Sequence, residues 1–540
     1  MSGFAGTGRL VRLAIRRDRI QLPLWIVSAG VLSSAGAAAV ANTFPTEADR
    51  ASALAGAGGS AAVLVMRGIP VGTSLGALVN FRNLASMLVL AALMSTFAVV
   101  RHTRQNEETG RAELIGAGSV GRHALLTAAL VVTFGANLLF GAAVTGTLVA
   151  ADLGADGALA FGAACAATGM AFAGIAAVAA QLFQSSRTAN AWAATAVGVA
   201  YVVRGIGDAL GERAPDGIQV TSSWLSWVSP IGWGMQVRPY GDERWWVLAL
   251  PVALVVVCVA TAFALVDRRD LSAGLIPDRP GPATASPALL SPLGLAWRLE
   301  RNSTIGWVIG SAVFGVGIGS LGGVVNEGLG GNQGVTEMME QLAGRPGALT
   351  DVFFAAMMNI FGALAAGYVI QALLRLRTEE AGGPAEAVLA TSVGRVRWVA
   401  AFSTVTVLGA AAMLVAAGAG TGIADAASGG HTGVGTLIGA GLAQLPAALT
   451  LAGFVVLVYG GLPRLVVTLA WTGLAVSLAC GLFGDLLGLP QAVRDLSPFS
   501  HVPAIPAVDA TPGPLLALTA VAAVFAAAGM ALFRRRDLVP

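Results

Sequence analysis

Twelve runs of this chain are each apolar over about 20 residues, the length a helix needs to cross the hydrocarbon of a bilayer. They fall at 21–43, 81–101, 123–151, 158–184, 188–208 and 246–266, then at 304–325, 352–374, 398–422, 434–459, 465–485 and 514–533. In lipid the backbone must satisfy its own hydrogen bonds, so runs of this length are expected as helices. The expected fold is all-α, a polytopic integral membrane protein of about twelve transmembrane helices. Composition agrees, since 56% of the 540 residues are hydrophobic and only 11% are charged, outside the range of soluble domains.

The two sets of six repeat. Leu13-Ala14-Ile15-Arg16-Arg17-Asp18-Arg19, followed by Trp25, matches Leu295-Ala296-Trp297-Arg298-Leu299-Glu300-Arg301, followed by Trp307. Gly207-Asp208-Ala209-Leu210-Gly211 matches Gly484-Asp485-Leu486-Leu487-Gly488, Ser229-Pro230 matches Ser497-Pro498, and Ala264 to Leu271 matches Ala531 to Leu538. All keep the same order, roughly 270 to 280 residues apart, which is the signature of a tandem duplication. Six spans is an even number, so both halves insert the same way up, and two six-helix units related by a pseudo-twofold axis are expected. The first unit spans 1–274 and includes an N-terminal amphipathic helix, a proline-rich cytoplasmic linker spans 275–292, and the second unit spans 293–540.

Charge sets the expected orientation. Arginines crowd one set of span ends, from Arg9 to Arg19, at Arg101, Arg104, Arg111 and Arg122, at Arg268 and Arg269, at Arg375, Arg377, Arg395 and Arg397, and at Arg534 to Arg536. By the positive-inside rule that side, with both termini, is cytoplasmic. Arg9, Arg12, Arg16 and Arg19 recur on one helical face opposite Leu10, Leu13 and Ala14, so this segment is expected to lie flat on the inner leaflet. The arginines are scattered at span ends and build no basic domain, which argues against nucleic acid despite a net charge of +3. Cys165, Cys258 and Cys480 lie inside apolar runs with no metal-ligand spacing. The spacings Gly306/Gly310 and Gly315/Gly319/Gly323 are those that let membrane helices approach closely. No lysine occurs anywhere, so the chain has no P-loop of its own.

Two charged islands interrupt this apolar background, each after the second span of its half. The first reads Glu107-Glu108-Thr109-Gly110-Arg111-Ala112-Glu113 and runs on to Ser119-Val120-Gly121-Arg122. The second reads Glu379-Glu380-Ala381-Gly382, then Glu386, then Ser392-Val393-Gly394-Arg395, the same order with one extra residue before the last glutamate. Within the spans Arg204 stands out, because an arginine inside the hydrocarbon is costly unless paired or snorkelled. Asp208 lies four residues on, on the same face. Snorkelling with a local salt bridge is one account of this pair, and a gate or substrate contact is the other. The second half has Gly481 in place of the arginine.

Together these features resemble the permease subunits of type-two ABC exporters, in particular the large duplicated permeases of bacterial polyketide-antibiotic exporters of the tetronasin type. The resemblance is carried by the Glu-Glu-x-Gly-Arg-x-Glu-Leu run of the first island, by Gly232 to Pro239 with Trp245-Trp246, by Arg268-Arg269-Asp270-Leu271 and by Leu496-Ser497-Pro498-Phe499. It implies a multi-pass protein of the bacterial cell membrane that exports amphipathic or hydrophobic, drug-like compounds and makes no covalent bond itself. Two copies of a separate nucleotide-binding ATPase, which hold the ATP and magnesium, are implied as partners, so this chain needs no cofactor. It further implies that Glu107, Glu108, Gly110, Arg111 and Glu113, with Glu379, Glu380, Gly382 and Glu386, form the coupling elements that the ATPase grips. An ion-coupled secondary transporter of twelve spans is the rival reading, and it would need a carboxylate or histidine near the midplane.

Overall fold

The computed structural model describes residues 3–59, 61–214, 218–270, 273–276, 283–322, 348–481 and 489–538. Gly323, Asp485 with its surrounding motif, Leu271 and residues 277–282 of the expected linker lie outside these residues. Most of what is described is helical, with one two-residue antiparallel pair, Glu212–Arg213 with Val220–Thr221, and one isolated bridge between Phe183 and Ile276. The molecule is therefore an all-α polytopic membrane protein. Its residues pack into two units, Met1–Gly281 and Pro282–Pro540.

In the first unit the spans are Gln21–Thr43, Leu75–His102, Ala124–Ala150, Ala155–Leu182, Ser186–Ala209 and Ala249–Val266. In the second they are Pro292–Gly319, Ala348–Ala381, Arg395–Ala427, the consecutive helices Val434–Ala443 and Leu445–Gly461, then Val466–Gly481 and Pro512–Arg535. Ten of these helical stretches, among the described residues, are long and apolar enough to cross a membrane. The fifth of each unit differs: Ser186–Ala209 carries Arg204 and Asp208, and Val466–Gly481 has 16 residues. Within each unit the same neighbours meet, the first span on the third, the second on the fourth and the fourth on the sixth.

The N-terminal helix Thr7–Arg17 seats Leu10 and Ala14 against Ala124 and Ala128 of the third span, so part of the apolar face expected to meet lipid is covered by protein. It is separated from the first span by a turn at Asp18. That carboxylate is buried and meets His102 Nε2 at 2.5 Å and Arg101 Nη1 at 3.1 Å, both at the end of the second span. Burial works to raise the Asp18 pKa, but the His102 hydrogen bond and the charges of His102, Arg101 and Arg17 outweigh it and hold the carboxyl below its ordinary range. In the second unit the corresponding residues are not a separate element. Pro292–Gly319 runs as one 28-residue helix through buried Glu300.

The glycine spacings divide into two kinds. A Cβ on Gly315 would stand 2.4 Å from the Ala417 carbonyl oxygen, and one on Gly319 would stand 2.0 Å from that of Thr421, so the first and third spans touch backbone to backbone there. Gly306 and Gly310, expected to pack in the same way, have nothing within 4 Å. Gly319→Leu is expected to lower stability by at least about 2 kcal/mol through overpacking, whereas Gly306→Leu leaves thermal unfolding of the solubilised protein unchanged.

Candidate functional site

The islands form the same short structure in each unit. After the second span the chain turns at a glycine in the left-handed region, Gly110 at φ 70° and Gly383 at φ 91°, where a side chain would be strained. A six-residue helix follows, Arg111–Gly116 in one unit and Pro384–Leu389 in the other, with one alanine of each buried, Ala112 and Ala385. The helices correspond residue for residue, which corrects the register drawn from the sequence. Gly383, not Gly382, is the counterpart of Gly110, and the separation that relates them also relates Glu107 to Glu380, Glu113 to Glu386 and Arg122 to Arg395. No residue is inserted. The apparent insertion came from aligning the two Glu-Glu pairs by identity.

The residues on either side of each short helix are tied to the end of its sixth span. Glu107 is buried and takes both arms of Arg269, Nη2 to Oε1 at 2.5 Å and Nη1 to Oε2 at 2.7 Å. Arg104, also buried, meets the same carboxylate at 2.8 Å and donates to the carbonyls of Ala180 and Ala273. In the second unit Glu380 takes both arms of Arg536, at 2.6 and 2.8 Å, while that guanidinium lies over the rings of Tyr459 and Phe533. The arginine after each short helix closes the arrangement. Arg122 donates to the carbonyls of Val266 and Arg269, and Arg395 donates to those of Phe533 and Arg536. Bidentate, desolvated pairs of this kind fix geometry as well as charge.

The site residues expected from the sequence thus separate. Glu107 and Glu380 are committed within the chain, and Glu379 is mostly buried against Arg375 at 2.7 Å. Glu108, Arg111, Glu113 and Glu386 are exposed, as is Leu114 at 80%. Glu108 accepts from the backbone N–H of Ser186 at the start of the fifth span, a favourable place for a negative charge. Arg104, Arg122, Arg269, Arg395 and Arg536 were not expected in the site, although the duplication of Arg122/Arg395 and of Arg269/Arg536 was the signal that pointed to them.

At the other end of the fifth span Arg204 and Asp208 are fully buried and paired at 3.2 Å. Arg204 also donates to the carbonyls of Leu64 and Val65, lies 4.5 Å from the Tyr201 ring centre, and leaves Asp208 to accept from Ser222 at 2.6 Å. The side chain does not snorkel, and neither residue is open to a passing molecule. The pair clamps the segment after the first span and the segment after the fifth onto the fifth span. In the second unit Ser497 Oγ lies 2.4 Å from where a Cβ on Gly481 would stand, so the two units differ here. Both retain the serine pin, in which Ser229 donates to Ala200 O at 2.6 Å and Ser497 to Ser477 O at 2.7 Å.

One face of the second unit is open. Asn302, Gly306, Trp307, Gly310 and Phe314, with Leu364, line a cleft of about 470 Å³, and it is the two unpacked glycines that leave the room. Among the described residues no cluster of His, Cys, Asp and Glu could hold a metal ion. Asn137 bridges to Ser95 and the Thr133 carbonyl, a helix-to-helix contact with no free polar edge offered by its amide nitrogen.

A family model described as "Multidrug efflux system permease Rv1217c, C-terminal domain" matches residues 289–534. Over 99% of its length this chain is 40% identical to the multidrug efflux system permease protein Rv1217c of Mycobacterium tuberculosis (strain ATCC 25618 / H37Rv), of which 96% is covered.

Two outcomes are expected of stability measurements. Glu107→Gln strands two buried guanidinium groups and costs about 3–5 kcal/mol, and the double variant Glu107→Gln/Arg269→Gln costs less than the sum of the single changes. Arg204→Met leaves Asp208 buried without a counter-charge and costs about as much, while adding Asp208→Asn recovers part of the loss in thermal melting.

Proposed function

The chain belongs to the multidrug efflux system permease family, and on that premise we propose that it is the membrane subunit of an ATP-driven exporter of the type-two ABC class, akin to the duplicated tetronasin-type permeases. A separate nucleotide-binding subunit supplies the ATP and magnesium chemistry. Two copies of it grip the two short helices on the cytoplasmic side of a bacterial membrane, and both termini of this chain lie on that side. Closure of the ATPase pair moves the six-span units between inward and outward access.

The observation that carries this reading is the identity of the two short helices in length and register, each preceded, across a glycine turn, by a buried glutamate that pairs bidentately with an arginine at the end of the sixth span. Each short helix is thus held on both sides, by the glutamate before its glycine turn and by Arg122 or Arg395 after it, to the end of the sixth span. The contact surface is the exposed set, Glu108, Arg111, Leu114 and Glu113 in the first unit and Glu386 in the second, while Glu107, Glu379 and Glu380 act behind it as positioning residues. The cleft beside Trp307 is apolar with a few polar edges, which suits an amphipathic or hydrophobic cargo of antibiotic or drug-like size. An ion-coupled mechanism draws less support, since Asp208 is already committed to Arg204 and Ser222.

Charge reversal tests the reading where it does not disturb the fold. The exposed double variant Glu113→Arg/Glu386→Arg is expected to lose co-purification of a co-expressed nucleotide-binding subunit and at least about tenfold of drug efflux, with unchanged thermal melting. Retained capture with full efflux would sink the coupling role, and so would drug transport by the chain alone in vesicles energised only by a proton gradient.

A further inference from the structure

Between the N-terminal helix Thr7–Arg17, the short helix Arg111–Gly116 and the first turns of the third span lies a trench of about 400 Å³. Its walls are apolar, with Leu10 and Leu13 on one side, Leu125, Ala128 and Ala129 on the other, and Ile115 at the end. Its rim is cationic, formed by Arg16, Arg17 and Arg111. Among the described residues no carboxylate pairs with these three. The Asp18 carboxylate meets His102 and Arg101 directly, and Arg17 donates to the neutral Asn106 at 2.5 Å. Burial, followed by the Arg101 and Arg111 charges, lowers the Arg17 pKa against the opposing charge of Asp18.

We propose that this trench is a binding site for one anionic phospholipid, with an acyl chain along Leu10, Leu13 and Ala128 and the phosphate on Arg16, Arg17 and Arg111. The lipid requirement follows from the juxtaposition. A free phosphate would satisfy the rim and leave Leu13, 53% exposed, against water, whereas an amphiphile satisfies both. A surface for the nucleotide-binding subunit is disfavoured by asymmetry: Pro384 replaces Arg111 in the second unit, and there the N-terminal helix is continuous with the span. The site shares Arg111 with the contact surface proposed above, and Leu13, which lies in the trench and outside that surface, separates the two roles.

The test uses the full-length protein in detergent, with bound lipid counted by native mass spectrometry and thermal melting followed in parallel. Wild type is expected to retain one phosphatidylglycerol in preference to phosphatidylcholine and to be stabilised by it. Arg16→Gln/Arg111→Gln is expected to lower that retention by about tenfold or more, and Leu13→Asn to lower it with all charges kept. Arg9→Gln/Arg12→Gln, which removes two exposed charges from the same helix away from the trench, is expected to leave it unchanged. Equal loss in the two arginine pairs would overturn the site in favour of general charge attraction. Stabilisation by inorganic phosphate equal to that by the lipid would reduce it to an anion site. Full lipid retention by Arg16→Gln/Arg111→Gln, with capture of the nucleotide-binding subunit lost, would make it a protein contact.

Discussion

A carboxylate buried at the mouth of each helical unit holds the guanidinium of an arginine that ends the last span, and the cytoplasmic architecture proposed for this permease rests on that pair. Removing two such charges from water is expensive, and the cost is offset only when both oxygens and both arms are engaged. Glu107 with Arg269, and Glu380 with Arg536, meet that condition. The first and last thirds of each unit are thereby locked together at one end, and the short helix between the second and third spans is oriented as a consequence. Arg122 and Arg395 extend the lock to the backbone carbonyls of the same span end, groups that a helix terminus would otherwise leave without partners.

The two units keep this lock and diverge elsewhere. The first unit adds a buried ion pair at the opposite end, Arg204 with Asp208, which binds two connecting segments to its fifth span. The second has Gly481 there, closely packed by Ser497, and opens a cleft along its first span instead. Such a division is what duplication permits. The lock beside the short helices is kept in both units, while the opposite end of the fifth span and the face of the first span differ.

Much of the fold was legible in the sequence because the bilayer leaves a chain few choices. Long apolar runs gave the spans to within a few residues at most ends, and the repeats gave the two sets of six. The fate of individual charges was harder to read. Glu107 and Glu108 are indistinguishable as letters, yet one is buried against Arg269 and the other is exposed beside Ser186, because helical rotation at the end of the second span turns only one of them inward. The same rotation hid the register, since in the second island it is the second glutamate of the pair, Glu380, that takes the arginine of the sixth-span end. Gly306 and Gly310 share the spacing of Gly315 and Gly319 but face an open cleft, and spacing alone carries no information on what lies opposite.

The turn at Asp18 has a mechanical counterpart. In the first unit the leading amphipathic segment is broken from its span at Asp18, whose buried carboxylate ties the turn to the end of the second span. In the second, Pro292–Gly319 is an unbroken rod of 28 residues, about 42 Å at 1.5 Å per residue, longer than the roughly 30 Å of hydrocarbon it has to cross. The surplus turns, with Ala296 and Glu300 buried in the unit, belong to the same helix as the span, so a tilt of that span carries them with it, whereas in the first unit the break at Asp18 separates the leading helix from the span.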